Sequence, residues 1–459
     1  MTGSSSSVRF PAGFLWGSGT SSYQVEGATD EDGRSPSIWD TFAARPGAVL
    51  GGDSGAVAAD QYHRYREDIA LMRQLGHQVY RFSIAWPRIQ PDGRGAVNQR
   101  GLDHYRRVVD ELLAAGIAPN VTLYHWDLPQ ALQDAGGWPA RDTAARFAEY
   151  AAIVYEALHD RVGWWSTINE PWCVSLLSYA LGAHAPGEQD AGRALRAIHH
   201  VLLAHGLGIR AMRAIDATPR LGIVLTPAPI RPTPGAFGPS IDHGVRAVDG
   251  YRNRVWLDAL LRGAYPVDVI ERAAPFGGLP VEDGDLATIA TPIDWLGVNY
   301  YHDLFLGLAD APDQLNPGAG PVQEVAPPGE RTSMGWPITP SGLTDLLLRL
   351  RADWPDVPPI VISENGAAWD DPIAADGSID DERRLRYLHD HIAATAAAIE
   401  RGVDVRGYLV WSLLDNFEWT WGYRERFGIV HVDYATQVRT PRRSAWWLKG
   451  VIEANGLPG

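Results

Sequence analysis

The chain holds one cysteine, Cys173, in 459 residues. An intramolecular disulfide is excluded, so folding must rest on a buried core, and a reducing, cytoplasmic setting is the expectation. A lone thiol of this kind reads as packing rather than as a nucleophile. Cations are outnumbered as well: 40 Lys and Arg face 55 Asp and Glu, for a formal charge of −15. Nucleic acid and anionic membrane surfaces both require clustered basic residues, so neither is expected as a partner. No apolar run approaches the roughly 18 residues of a spanning helix. Residues 1–7, with four consecutive serines, lack the basic and apolar regions of a secretory signal and read as a disordered tail before a single domain at 8–459. A nucleotide-binding turn is also missing: Gly17-Ser18-Gly19 begins one, but Ser22 occupies the place of the third glycine.

What is present is alternation. Short runs rich in β-branched and aromatic residues recur at 14–18, 78–84, 118–124, 164–168, 221–225, 295–299, 359–363 and 406–411. Amphipathic stretches at 101–115, 142–159, 192–215, 340–351 and 381–401 read as crossover helices between them. Strand-helix alternation implies a parallel sheet, and eight such units favour closure into a (β/α)8 barrel, with an open doubly wound sheet as the alternative. The Pro- and Gly-rich segments 231–238 and 310–335 read as long βα loops. With 45% hydrophobic and 21% charged residues the chain has the composition of an ordinary globular protein.

Two glutamates stand at strand ends. Trp165-Ser-Thr-Ile168 leads into Asn169-Glu170-Pro171, and Ile360-Val-Ile-Ser363 leads into Glu364-Asn-Gly366. In a barrel both strand ends open on the same face, so the two carboxyls can share one pocket. A carboxyl pair is the minimal apparatus for glycosidic cleavage: one protonates the leaving oxygen, and the other attacks the sugar carbon or activates water. Taken alone, a glutamate at a strand end more often pairs with a basic residue at the rim, and spacing does not decide between these readings.

Seven ordered motifs do. Phe10-Pro-Ala-Gly-Phe-Leu-Trp-Gly-Ser-Gly-Thr-Ser-Ser-Tyr-Gln-Val-Glu-Gly27, Tyr80-Arg-Phe-Ser-Ile-Ala-Trp-Pro-Arg88, Tyr124-His-Trp-Asp-Leu-Pro129, Thr167-Ile-Asn-Glu-Pro171, Asn299-Tyr-Tyr301, Ile362-Ser-Glu-Asn-Gly366 and Trp411-Ser-Leu-Leu-Asp-Asn-Phe-Glu-Trp419 resemble the signatures of family 1 of the glycoside hydrolases, the β-glucosidase family. The resemblance covers nearly the whole chain. It implies an α/β fold, a single TIM barrel with long βα loops, and hydrolysis of terminal β-D-glucosyl residues by double displacement. It casts Glu170 as acid/base and Glu364 as nucleophile, and it implies no cofactor. A transglycosylase shares every one of these residues, and a non-catalytic carbohydrate-binding barrel is the rival of another class.

By the same resemblance Gln24, His125, Asn169 and Glu418 hydrogen-bond the sugar, Trp411 is its stacking floor and Trp419 donates its indole N–H. Trp126 and Phe427 are further wall candidates, and Trp336 matches an aglycone-side position. Arg81 and Tyr301 resemble the groups that support the nucleophile, holding its pKa down by opposite charge and by hydrogen bonding. Gly19 and Ser363 stand where the family more often has alanine and threonine, and His77 occupies a place expected to be apolar. The histidines, His199, His200 and His205 included, form no clustered ligand pattern, so no metal is expected. The expected partners are small β-glycosides or oligosaccharides, and a homo-oligomer is compatible with all of this.

Overall fold

The computed structural model describes residues 8–457, so the tail read at 1–7 lies outside the described residues. Eight parallel strands close on themselves: β1 (Leu15–Gly19), β2 (Val79–Ser83), β3 (Ala118–Tyr124), β4 (Trp164–Asn169), β5 (Arg220–Leu225), β6 (Trp295–Asn299), β7 (Ile360–Asn365) and β8 (Val405–Trp411). Closure is made by β8 pairing with β1, Gly407 opposite Leu15 and Trp411 opposite Gly19. The open-sheet alternative is thereby set aside. Every strand read from β-branched and aromatic runs is present, with ends shifted by a residue or two.

The read crossover helices are also there: Gln99–Ala114, Asp142–Leu158, Ala191–Ile215, Pro340–Asp353 and Glu382–Glu400. Further helices join them, among them Gln61–Gln74, Val255–Arg262 and Arg443–Ala454. The first carries charge on most turns, and only tertiary packing of Tyr62, Tyr65, Ile69 and Met72 makes it a barrel helix. One reading needs correction. The supposed loops at 231–238 and 310–335 contain strand: Ile230–Pro232 and Val322–Glu324 join Leu304–Leu308, which lies between the two loops, in a small three-stranded sheet beside the barrel mouth. These strands are only three to five residues long and broken by Pro and Gly, which hides them from a periodicity test.

The barrel interior divides by height. Val79, Trp295 and Val361, near the starts of their strands, pack with Val224 and Leu409 from further along theirs, with Leu15, Ala118 and Trp164 against them. Trp295 is fully buried and its indole N–H donates to the Trp165 carbonyl at 3.1 Å. At the strand ends the inward positions turn polar: Arg81, Asn169, Asn299 and Glu364 are all buried. His77, polar where an apolar residue was expected, is buried beside Ser18 Oγ at 2.9 Å, and burial pulls its pKa down to about 4, so it is neutral.

Candidate active site

The polar strand ends open into a cavity of 280 Å³ whose walls include Glu170, Glu364, Asn169, Asn299, Tyr301, Trp411 and Glu418. Glu364 is the fifth residue of β7, and Glu170 follows the last residue of β4. Glu170 has a left-handed backbone, φ +49°, which costs a non-glycine residue about 1 kcal/mol or more and survives only where surroundings enforce it. Here they do: its N–H donates to the Val224 carbonyl at 2.9 Å, and its own carbonyl accepts from Cys173 N at 2.9 Å as the chain turns into the π-helical segment Cys173–Ala180. Past Glu364 the chain runs so close to β8 that a Cβ on Gly366 would lie 1.7 Å from the Trp411 carbonyl oxygen, so only glycine fits there.

One hydrogen-bonded chain links the two carboxyls. Arg81 donates from Nη1 to Glu364 Oε1 at 2.6 Å, from Nη2 to Asn169 Oδ1 at 2.7 Å and from Nε to Thr122 Oγ1 at 3.1 Å. Asn299 Nδ2 donates to the same Asn169 oxygen at 3.1 Å and to Glu170 Oε1 at 2.7 Å. Ser363 Oγ fixes Asn299 by donating to its Oδ1 at 2.7 Å. Tyr301 donates to Glu364 Oε2 at 2.7 Å, and the Cys173 thiol donates to Glu170 Oε2 at 3.0 Å. Glu364 therefore has a guanidinium and a phenol as partners, whereas Glu170 has a neutral amide and a thiol.

Burial dominates the electrostatics. It pushes Glu364 up to about 7, and repulsion from Glu170 adds to this, while Arg81 and Tyr301 pull the other way. The expectation that these two hold Glu364 low is thus right in direction but outweighed by desolvation. Glu418 is raised well above the carboxylate range by burial and by repulsion from Glu364, Glu425 and Glu170. His125 is held well below its ordinary value by burial and by the Arg81 charge, so it is neutral.

The tautomer of His125 follows from the network. Asn169 Oδ1 is occupied by two donors, so Asn169 Nδ2 is the amide group facing His125 Nε2 at 3.1 Å, and that ring nitrogen accepts. Nδ1 then carries the proton and, although enclosed, has no acceptor among the described residues.

Trp411, Glu418, Trp419, Trp126, Trp336 and Phe427 all line the cavity. Trp126 and Trp419 pack with centroids 4.5 Å apart, and Trp126 Nε1 donates to the Asn169 carbonyl at 3.0 Å, so it is partly a brace for the strand end. Tyr301, Trp336 and Phe427 cluster at 5.3 to 6.1 Å on another wall. Two proposed residues stand behind the surface. Arg81 is fully buried beneath the carboxyls, as a supporting group should be. Gln24, expected on the sugar, is fully buried too: its amide donates to Asn416, the Phe417 carbonyl and, at 3.3 Å, Glu418, and its oxygen accepts from Ser21. Sequence reasoning passed over Asn299, Cys173, His184 and Arg252. Asn299 closes β6, so the strand-end rule that found the two glutamates would have found it; the other three lie on helices and loops, which carry no such signal.

The sequence matches the family model described as Glycosyl hydrolase family 1 over residues 6–457. It is 50% identical to the thermostable beta-glucosidase B of Thermobispora bispora, covering 98% of this chain and 92% of that protein. The structure resembles the psychrophilic beta-glucosidase of Micrococcus antarcticus with a TM-score of 0.94 at 48% identity, covering 97% of this chain and 98% of the other. It also resembles the beta-glucosidase of Thermotoga maritima in complex with glucoimidazole, with a TM-score of 0.92 at 44% identity over 98% of this chain and 100% of that one.

Proposed function

The chain belongs to family 1 of the glycosyl hydrolases, and from that premise we propose that Glu364 is the nucleophile and Glu170 the acid/base of its reaction. That reaction is hydrolysis of terminal β-glucosyl residues with retention of configuration. The observation that carries the assignment is the unequal company of the two carboxyls. Arg81 and Tyr301 stabilise negative charge on Glu364, the state a nucleophile needs, whereas Glu170 meets only neutral donors.

In the first step a Glu364 oxygen attacks the anomeric carbon, the bond to the leaving oxygen breaks, and that oxygen takes the proton of Glu170. Having given up its proton, Glu170 is a carboxylate and accepts a proton from water. That water attacks the same carbon and releases Glu364. His125 Nδ1, Asn169, Glu418 and the Trp411 and Trp419 rings supply donors, acceptors and platforms for the glucose, with Gln24 orienting Glu418 from behind. Trp336, Tyr301 and Phe427 face the aglycone. The same reading takes 8–459 as one catalytic domain working in the cytoplasm; among the described residues no helix is long and apolar enough to cross a membrane.

Incubation with 2-deoxy-2-fluoro-β-glucosyl fluoride, followed by mass spectrometry of the digested protein, tests the assignment. The fluorine slows the second step more than the first, so the trapped ester is expected on the peptide bearing Glu364. An ester on Glu170, or on another residue, overturns it.

A further inference from the structure

Arg252 is the one arginine among the described residues that line the cavity, and the chemistry above does not use it. It lies in the π-helical turn Gly250–Arg254, within the excursion between β5 and β6. Its guanidinium lies over the Trp172 ring at 3.9 Å, and Nη2 donates to Thr226 Oγ1 at 3.0 Å. These contacts orient the group but leave its charge unmatched. Nε is enclosed without any acceptor, and Nη1 has none among the described residues. The contrast with its neighbour is direct: Arg254, two positions on, pairs with Asp249 at 2.8 Å and Asp268 at 2.7 Å. The acidic groups facing Arg252 are Glu170 and Glu324, and neither comes within ion-pair reach of 4.0 Å.

An oriented guanidinium with unclaimed N–H groups in a cavity is a receptor for an acceptor that the chain itself does not provide. Its position decides which part of a substrate that is. Thr226, Cys173 and Glu170 surround it, and Glu170 is the group that protonates the leaving oxygen, so whatever reaches Arg252 belongs to the leaving group and not to the glucose. A hydroxyl would satisfy one N–H and leave the charge uncompensated, whereas a carboxylate answers both. We propose that Arg252 is a specificity-determining residue that selects β-glucosides whose aglycone carries a carboxylate. The proposal rests on the assignment of Glu170 as acid/base.

The test compares 4-carboxyphenyl and 4-carbamoylphenyl β-D-glucoside, which match in shape and differ in charge, by kcat/KM on the unmodified enzyme and on Arg252→Gln and Arg252→Lys. The ratio of the two substrates is taken within each preparation, so any misfolded fraction cancels. Loss of charge-assisted hydrogen bonding is expected to lower the carboxylate-to-amide ratio by roughly 10- to 100-fold in Arg252→Gln and by less in Arg252→Lys. A ratio that does not move overturns the proposal, including the case in which both substrates slow equally because the arginine only tunes Glu170. An unmodified enzyme inactive on both glucosides and on 4-nitrophenyl β-glucoside would instead bring down the site assignment beneath it.

Discussion

The two ends of the barrel are built from the same eight strands and obey opposite rules. In the apolar cluster of the barrel interior, Val79, Val224, Trp295, Val361 and Leu409 exclude water and ask nothing of one another but shape. At the strand ends, Arg81, Asn169, Asn299, Glu170 and Glu364 are buried too, yet each is held by directed bonds and the Glu364 carboxyl is pushed toward neutrality. The lower layer gains free energy from burial; the upper layer spends some of it to hold charge out of water. Stability and chemistry are thus separated by height within one closed sheet, and substitutions at the two levels should fail in different ways.

The largest effect is expected at the top: Glu364→Ala should lower kcat on 4-nitrophenyl β-glucoside by about 10⁴-fold or more while the protein stays folded, as steady-state kinetics and circular dichroism would show together. At the bottom the pattern should invert. Trp295→Ala should cost roughly 3–5 kcal/mol of unfolding free energy in urea, and kcat per folded molecule should stay close to the parent value. An equal loss of activity per folded molecule would show that the levels are coupled. Between these lies Tyr301→Phe, which removes a bond favouring charged Glu364. The carboxyl, already near 7, should rise further, so the acidic limb of kcat/KM should move to higher pH and activity at neutrality should fall about tenfold.

The smallest effect sharpens the comparison by improving the fold. The pKa of Glu418 is raised in the folded state, so its carboxyl favours folding below the ordinary carboxyl pKa and loses that advantage as pH climbs toward the raised value. Glu418→Gln should therefore raise Tm, by roughly 2–4 °C at pH 8 and by nothing near pH 4, while weakening sugar binding. A Tm gain independent of pH would assign the effect to packing instead of charge.

How far the sequence reached follows the same division. The strands were legible because enclosed parallel strands need unbroken β-branched and aromatic runs, and Glu170 and Glu364 were legible because they directly follow or end such runs. The small sheet of Ile230–Pro232, Leu304–Leu308 and Val322–Glu324 was not, since three to five residues among prolines carry no period. The helix Gln61–Gln74 was hidden because tertiary contact and not an apolar stripe makes it fold. At the site, motif matching supplied residue types but not depth. Gln24 is fully buried and bonded to Glu418, and the pKa of Glu364 is raised chiefly by burial, a quantity no short motif contains. Arg252 could not be singled out, because an arginine in an irregular segment becomes informative only once its missing partner is seen.

The pairing of β8 with β1 has one more consequence. Glu170 follows β4, Glu364 is the last but one residue of β7, and Trp411 ends β8, which closes the ring by lying between β7 and the chain's first barrel strand. No nascent or partly folded portion of the polypeptide can present the complete constellation, so glycoside cleavage switches on only when the ring is completed. Turnover in a refolding experiment is consequently a clock for the slowest, longest-range event in the chain's self-assembly, and a growing chain carries no premature reactivity toward the sugars around it.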